Sequence, residues 1–311
     1  MNKQETVSKG MSQSDIGLCN PPLERRVAAI VLNYNSAADT RKCVDHLSAQ
    51  QGVDLRIIVV DNCSPRLGER GEVERLCRER GVTFIAAEAN LGYNAGNNLG
   101  LRRAHSEGCR YALIANPDME FPDPRYIATL IAEMQAHDAV LAGSDIHGPE
   151  GGHQSPMAPD STGGSAWSSW RWMRDIIVPS KRGEHDWIDR PDMSHEATKV
   201  SGCCLLLDLD WLAADGFLDE GVFLYCEEAI LARRVEMGGR RGWYTTATHA
   251  IHRHIKSAKG DPRPRLRAWR NSRLYYIGRY SHRGPVGRLI ERASIITYTT
   301  LLRLAATIRR K

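Results

Sequence analysis

Three short, largely apolar runs, Val27 to Leu32, Leu55 to Val60 and Val82 to Ala86, are separated by stretches of helical periodicity, and that alternation constrains the fold more than any other feature. A run apolar at nearly every position, rather than at every second one, suits a strand buried on both faces of a parallel sheet. Parallel neighbours need a crossover, and the intervening segments supply one. Ala38 to Gln50 sets Cys43, Val44 and Leu47 on one helical face, with Ser36 or Asp39 as its cap and Gly52 as its stop. Glu72 to Arg80 follows and closes on Gly81. The β-α-β-α-β order predicts an α/β fold, a mostly parallel twisted sheet with right-handed crossovers, flanked by helices.

In an open α/β sheet, ligands bind in the crevice outside the carboxyl ends of the strands. The residues delivered there are therefore the candidates for function. The first strand ends at Asn33-Tyr34-Asn35 and the second at Asp61-Asn62-Cys63-Ser64. After the third comes Glu88 to Gly100, with three glycines and four asparagines, leading into a helix through Leu101 to His105. That composition suits close backbone approach to a ligand and a helix N-terminus facing an anion. Its spacing matches neither a dinucleotide fingerprint nor a P-loop. Ala112 to Ala115 forms a further strand, which Asn116-Pro117 ends because proline cannot donate to a ladder. Asp118 then stands just past a strand end. There it suits a divalent cation held against phosphate oxygens, or simply an Asx turn.

Ile127 to His137 predicts an amphipathic helix and Ala139 to Gly143 a strand. From Asp145 to about Ser194 periodicity fades, and Trp167, Trp170 and Trp172 there suit either an aromatic platform for an acceptor or local packing. Lys199 to Leu207 is another strand, with Gly202 where a ligand or backbone could come close. Leu209 to Ala214 is a short helix. Glu227 and Glu228 open a helix running from Ala229 to Met237, where the dipole favours their ionised forms and N-terminal capping accounts for one of them. Trp243 to Thr246 reads as a strand, followed by His249, His252, His254, Lys256 and Ser257; the histidine spacing allows a metal reading without a firm third ligand.

Hydrophobic residues make up 42% and charged ones 25% of 311 residues, which excludes a disordered chain and allows one large domain or two. No apolar run reaches the ~18 to 20 residues needed to span a bilayer, and the polar stretch Met1 to Asn20 lacks a signal-peptide core, so a cytoplasmic protein is expected. The eight cysteines show no paired spacing, and Cys203-Cys204 reads as strand packing. The net charge of +5 is unevenly spread, because from Arg263 onward twelve arginines face only Glu291. Such a region seeks phosphate. The helical part from Arg283 to Lys311, with Leu289, Ile290, Ile295, Ile296, Leu301, Leu302, Leu304 and Ile308, suits contact with the inner face of a membrane or packing on the catalytic domain. No nucleic-acid motif accompanies it, so a nucleic-acid partner is not expected.

The segments AIVLNYNS (29 to 36), IVVDNCS (58 to 64), ANLGYNAGNNLG (89 to 100), LIANPDM (113 to 119), VSGCCLLL (200 to 207), FLYCEEAILARR (223 to 234), HRHIKS (252 to 257) and RNSRLYY (270 to 276) stand in a recognisable order. Over residues 27 to about 281 the chain resembles the inverting glycosyltransferase family 2, of GT-A fold, in its rhamnosyltransferase-like branch. Composition suggests a disordered arm at 1–24 and a basic helical extension at 261–311, and the resemblance implies a catalytic domain at 25–260. Within the domain, 25–120 would be the nucleotide-binding half and 121–260 the acceptor-binding half.

By the same resemblance Asn33 and Asn35 border the nucleotide with Asn62 and Asn116, and Asp61 accepts from the imide of a uracil or thymine base. Asn90, Gly92 and Asn97 shape the cleft wall. Asp118 binds Mg2+ or Mn2+, as the last carboxylate of a DxD-type motif reduced here to Asn116-Pro117-Asp118. Glu228 is the general base, or Glu227, since the family's following acid is replaced by Ala229-Ile230. Gly202, His252, His254 and Lys256 would meet the diphosphate or the acceptor. The implied activity is transfer of a sugar from dTDP-rhamnose or a UDP-sugar to a hydroxyl of a glycan or polyprenyl-linked acceptor in surface polysaccharide synthesis. The alternative is a non-catalytic nucleotide-sugar-binding or scaffold protein on the same fold. Either way, Asp61, Asp118 and Glu228 should line one cleft.

Overall fold

The computed structural model describes residues 26–158, 188–254, 261 and 263–308; the arm at 1–24, the three tryptophans at 167, 170 and 172, and Lys256 lie outside them. In chain order the elements are β1 (Arg26–Asn33), α1 (Ala37–Ser48), β2 (Asp54–Asp61), α2 (Glu69–Arg80), β3 (Thr83–Ala86), α3 (Tyr93–Ser106), β4 (Tyr111–Ala115), β5 (Met119–Glu120), α4 (Tyr126–Ala136) and β6 (Ala139–His147). There follow β7 (His195–Glu196), β8 (Cys204–Asp208), α5 (Leu209–Ala214), α6 (Glu227–Met237), β9 (Arg241–His252), α7 (Arg263–Arg279) and α8 (Pro285–Ile308).

The described strands form one nine-stranded sheet in the order β3-β2-β1-β4-β8-β6-β9-β5, with β7 paired to β9. β3, β2, β1 and β4 are parallel, as the alternation of runs and helices requires. β8 then enters antiparallel between β4 and β6, and β9 runs parallel to β6. Side chains of β1 show why its run is apolar throughout. Val27, Ala29 and Val31 pack into the layer beneath α1, α2 and α4, whereas Ala28 and Ile30 pack into the opposite layer with Leu101 of α3 and Leu212 of α5. At about 1.5–3 kcal/mol for each fully buried aliphatic side chain, these two layers hold the strand order without help from the polar strand ends. Those ends are left to bind.

Helix starts differ from the expectation in an informative way. α1 is capped not by Ser36 or Asp39 but by Glu69 of α2, whose buried carboxylate accepts from the Ala37 N–H at 2.6 Å. α3 begins at Tyr93, well before Leu101, because its asparagines face inward: Asn94 and Asn98 donate to the carbonyls of Asp219 and Leu218. Its first N–H is also taken, since Tyr93 N–H donates to the Phe223 carbonyl at 2.9 Å. This end of α3 is therefore stapled to the segment 218–224 rather than offered to an anion.

Gly92 makes the staple possible. It sits at φ +82°, and a Cβ there would lie 2.3 Å from the Phe223 carbonyl oxygen, a backbone atom that cannot move aside. Gly92→Ala is therefore expected to cost about 1–3 kcal/mol, read as a lower urea midpoint at unchanged slope; an unaltered midpoint would refute the close approach.

Candidate active site

The ends of β1 and β2 form one hydrogen-bonded unit around Asp61. Its carboxylate accepts from Asn33 Nδ2 at 2.9 Å, Ser64 Oγ at 2.6 Å, Ser64 N at 3.2 Å and Arg70 Nε at 3.1 Å. Burial pushes the Asp61 carboxyl up, but these donors outweigh it and hold the group below the usual carboxylate range. Asn35 joins through its backbone N–H to Ser64 Oγ. Asp61 is wholly buried, so to accept from a base it would have to exchange one of these donors. Arg70 was not singled out from the sequence, although it stands at the start of the helix that follows this strand-end acid.

A cleft of about 340 Å³ opens beside this unit, lined by Asn62, Asn90, Gly92, Asn116 and Asp118 among others. Asn62 bridges its wall, donating to Asn90 Oδ1 and the Gly92 carbonyl and accepting from Leu91 N–H. Asn97 stands behind it, buried in α3, donating to the Tyr93 carbonyl. Tyr34, Tyr93 and Phe223 also line the cleft, and the half-exposed Tyr34 and Phe223 are the aromatic faces that the sequence reading missed.

β5 pairs antiparallel with β9, setting Met119 opposite His252. That pairing carries the histidine run to Asp118. His252 Nε2 lies 3.2 Å from Asp118 Oδ1, and His254 Nδ1 lies 3.6 Å from Oδ2. Burial pushes the Asp118 carboxyl up, yet His252 and then His254 bring it below its ordinary value. Burial pulls His252 down, but Asp118 and Cys203 carry it up to about 10. The contact is an ion pair rather than an aligned hydrogen bond, and His252 Nε2 is a buried nitrogen with no hydrogen-bond partner among the described residues. Its Nδ1 donates to Gln154 Oε1 at 2.7 Å, the outer contact that orients a metal-binding imidazole. With ligand atoms of Asp118, His252 and His254 all within 4.8 Å of one another, the residues fit a divalent ion that would displace the proton His252 holds against Asp118. Asp118 thus supplies the third ligand that the histidine spacing lacked. His249 is not part of the group; its ring lies 5.6 Å from that of His147.

The two glutamates of α6 divide their tasks. Glu227 Oε1 turns back to accept from the Tyr225 N–H at 2.6 Å, so capping accounts for it. Burial and the Glu228 charge raise the Glu227 carboxyl to about 7. Glu228 Oε1 reaches away to the Gly202 N–H at 3.3 Å. The expected strand from Lys199 begins only at Cys204, which leaves Ser201 to Cys203 as a turn. A Cβ on Gly202 would sit 2.9 Å from Glu228 Oε1, so any larger residue would push the carboxylate off this turn. Tyr93, which lines the cleft, donates its hydroxyl to the Gly202 carbonyl. The next residue, Cys203, accepts the Asn116 N–H on its carbonyl at 2.8 Å and neighbours His252. Glu228 and the Asp118 cluster therefore both adjoin the segment Gly202–Cys203, although of the three acids expected to line one cleft only Asp118 is among its lining residues.

The extension beyond 261 supports this arrangement. Asp219 accepts from the Tyr275 hydroxyl at 2.9 Å and from that of Tyr280, and Ser272 Oγ donates to the Leu224 carbonyl at 2.7 Å. Tyr276 and Tyr280 pack with Val222, Cys226, Ala229 and Ile230. α7 thus braces the loop that carries Phe223 and leads into Glu227 and Glu228.

Known proteins share this fold. The family model described as glycosyl transferase family 2 matches residues 28–183. The chain is 27% identical over 206 residues to the low-salt glycan biosynthesis hexosyltransferase Agl10 of Haloferax volcanii, covering 65% of this chain and 59% of that protein; it thus spans less than two thirds of that relative's length. It is 23% identical over 272 residues to the N-acetylglucosaminyl-diphospho-decaprenol L-rhamnosyltransferase of Mycobacterium tuberculosis, covering 80% of this chain and 82% of that one. The mannosyltransferase PcManGT from Pyrobaculum calidifontis, solved in complex with GDP-Man and Mn2+, has a TM-score of 0.56 at 16% identity, covering 90% of this chain and 71% of that chain.

The raised Glu227 carboxyl has a measurable sign. The folded chain holds this proton to about pH 7, whereas the unfolded chain releases it near the ordinary glutamate value of 4.5. Its contribution to stability must therefore fall as pH rises between those values. Glu227→Gln should flatten that part of the stability profile, followed by urea denaturation from pH 4.5 to 8; parallel profiles for wild type and variant would show that the group is not perturbed.

Proposed function

We propose, starting from the fact that this chain belongs to glycosyl transferase family 2, that it moves a sugar from a nucleoside-diphosphate donor to a hydroxyl of a glycan or lipid-linked acceptor, inverting the anomeric carbon. The observation that supports this reading is the shared turn: Glu228 meets Gly202, and His252 of the Asp118 cluster neighbours Cys203, the next residue. The donor lies in the cleft against Asn62, Asn90 and Asn116, with Asn33, Asn35 and Asp61 holding the floor. Asp118, His252 and His254 hold the divalent ion, which when bound neutralises the leaving diphosphate.

Glu228 takes the proton of the acceptor hydroxyl as that oxygen bonds to the anomeric carbon; the carbon–oxygen bond to the diphosphate breaks, and the diphosphate leaves with the electron pair. One displacement inverts the centre. Glu227, turned back onto the Tyr225 N–H, leaves Glu228 as the carboxylate that faces the turn. A dTDP- or UDP-linked sugar is the donor we favour, on the resemblance of the Asp61 loop.

A second cavity of about 510 Å³ shares Phe223 with the cleft and is lined by Arg263, Arg267 and Arg303 together with Asp261. That charge favours an acceptor bearing phosphate, such as a polyprenyl-linked one. No helix among the described residues is long and apolar enough to cross a membrane. Yet α8 exposes Val286, Leu289, Ile290, Ile296, Leu301 and Leu304 along one side, which favours contact with a membrane surface.

Glu228→Gln should lower turnover by about 10²–10⁴-fold while isothermal titration still detects UDP or dTDP binding in Mn2+; retained turnover would remove Glu228 as base. Nucleotide binding without turnover in the wild type, across a panel of nucleotide sugars and acceptors, would instead favour a binding protein. Asp118→Asn should weaken Mn2+-dependent nucleotide binding by at least roughly tenfold, and equal affinity would overturn the metal assignment. In flotation with anionic liposomes the full chain should rise with the lipid and the Leu289→Glu, Leu304→Glu double variant should not; equal recovery would detach α8 from the membrane.

A further inference from the structure

We propose that Asp145, His147 and His153 form a second divalent-metal site of the zinc class, which clamps the hairpin that carries Gln154. It does not depend on the transfer reaction. β6 ends at His147, the chain turns through Gly148 to Gly152, and His153 returns as an isolated antiparallel bridge to His147. Two backbone bonds close the turn, Gly148 N to the Gly152 carbonyl at 2.7 Å and Gly151 N to the Gly148 carbonyl at 3.0 Å. The two imidazoles are thereby held over Asp145. Each carboxylate oxygen faces one of them: Oδ1 lies 2.8 Å from His153 Nδ1, and Oδ2 lies 3.0 Å from His147 Nε2. All three residues are half-buried, and their ligand atoms lie within 4.8 Å of one another.

The chemistry of the set points to one class of ion. Two imidazole nitrogens and a carboxylate oxygen, with a further position open, match zinc-type coordination, whereas Mg2+ and Ca2+ prefer oxygen alone. His147 Nδ1 lies 3.4 Å from the Gly151 carbonyl, so that nitrogen has a partner outside the group and Nε2 remains for the ion. His249 borders the set, in register with Asp145 across β6 and β9.

The site is separate from the Asp118 cluster because strand side chains alternate between faces. Asp145, His147 and His249 point to one face of the β6–β9 pair, while Ile146, Ala250 and His252 point to the other, with Ile146 and Ala250 fully buried between them. A bulge between Ser144 and Asp145 sets this register. The hairpin nevertheless touches both sites. His153 meets Asp145, and the next residue, Gln154, accepts from His252 Nδ1. An ion at Asp145 would fix the strand that orients His252, so it serves a positioning role.

The test uses the untagged full chain, stripped with EDTA and titrated with Zn2+ alone by isothermal titration. Asp118→Asn should bind about one equivalent, and adding His147→Ala and His153→Ala to it should abolish that equivalent. Co2+ in place of Zn2+ should give visible absorption bands in Asp118→Asn that the triple variant lacks. Equal stoichiometry with and without the two histidines would overturn the proposal and leave the group as a hydrogen-bonded clip, as would uptake of Mn2+ but not of Zn2+ at this position. Circular dichroism monitors folding; should the alanine variants not fold, Asp145→Asn, which keeps the side chain's shape, answers the same question.

Discussion

The pairing of β8 against β4 is the constraint on which the site depends. It sets Cys204 beside Ala115 and so brings the turn Ser201 to Cys203 next to Asn116, the residue that ends β4. The Asn116 N–H to Cys203 carbonyl bond extends this pairing one step beyond the ladder. Because β8 runs antiparallel, its start, rather than its end, meets the carboxyl end of β4. A parallel strand in that slot would have sent Gly202 to the opposite edge of the sheet, and Glu228 with it. The sheet's change of direction is therefore part of the site.

Electrostatics then separates three acids that look alike in the chain. Asp61 is buried but surrounded by donors, and Asp118 is buried beside imidazoles, so both stay ionised. Glu227 is buried beside another carboxylate and has one backbone donor, so its proton is held to about pH 7. The cost of burying charge is similar in kind for all three, and the number of partners decides the outcome. Asp61 consequently ties the ends of β1 and β2 together through Asn33 and Ser64, whereas Asp118 lines the cleft itself.

The C-terminal helices are bound into the same system. Asp219, between α5 and α6, collects hydroxyls from Tyr275 and Tyr280, and this ties α7 to the loop preceding Glu227. Part of the basic character of the tail is internal. Arg283 pairs with the buried Glu291, and Arg288 donates to the carbonyls of Ser281 and Arg283 near the end of α7. What remains outward on α8 is mostly apolar, which a count of arginines along the tail could not reveal.

Local chemistry was enough to read much of this protein from its residues. Continuous apolar runs require strands covered on both faces, Gly81 requires a helix end, and an acid after a strand-ending Asn-Pro has to emerge at the sheet's carboxyl edge. Asp61, Asp118 and the glutamate pair could be chosen on those grounds, because each depends on neighbours a few residues away. The tertiary structure decided what depends on distant partners: that Asp118 and not His249 completes the histidine pair, that Glu227 caps while Glu228 faces Gly202, that Glu69 caps α1, and that the asparagines of α3 bind backbone instead of ligand. Apart from the local bonds of Glu227 to Tyr225 and of Asn97 to Tyr93, each of these follows from a contact between distant parts of the chain, set by strand order and direction, and periodicity along the chain carries no record of which strand lies beside which.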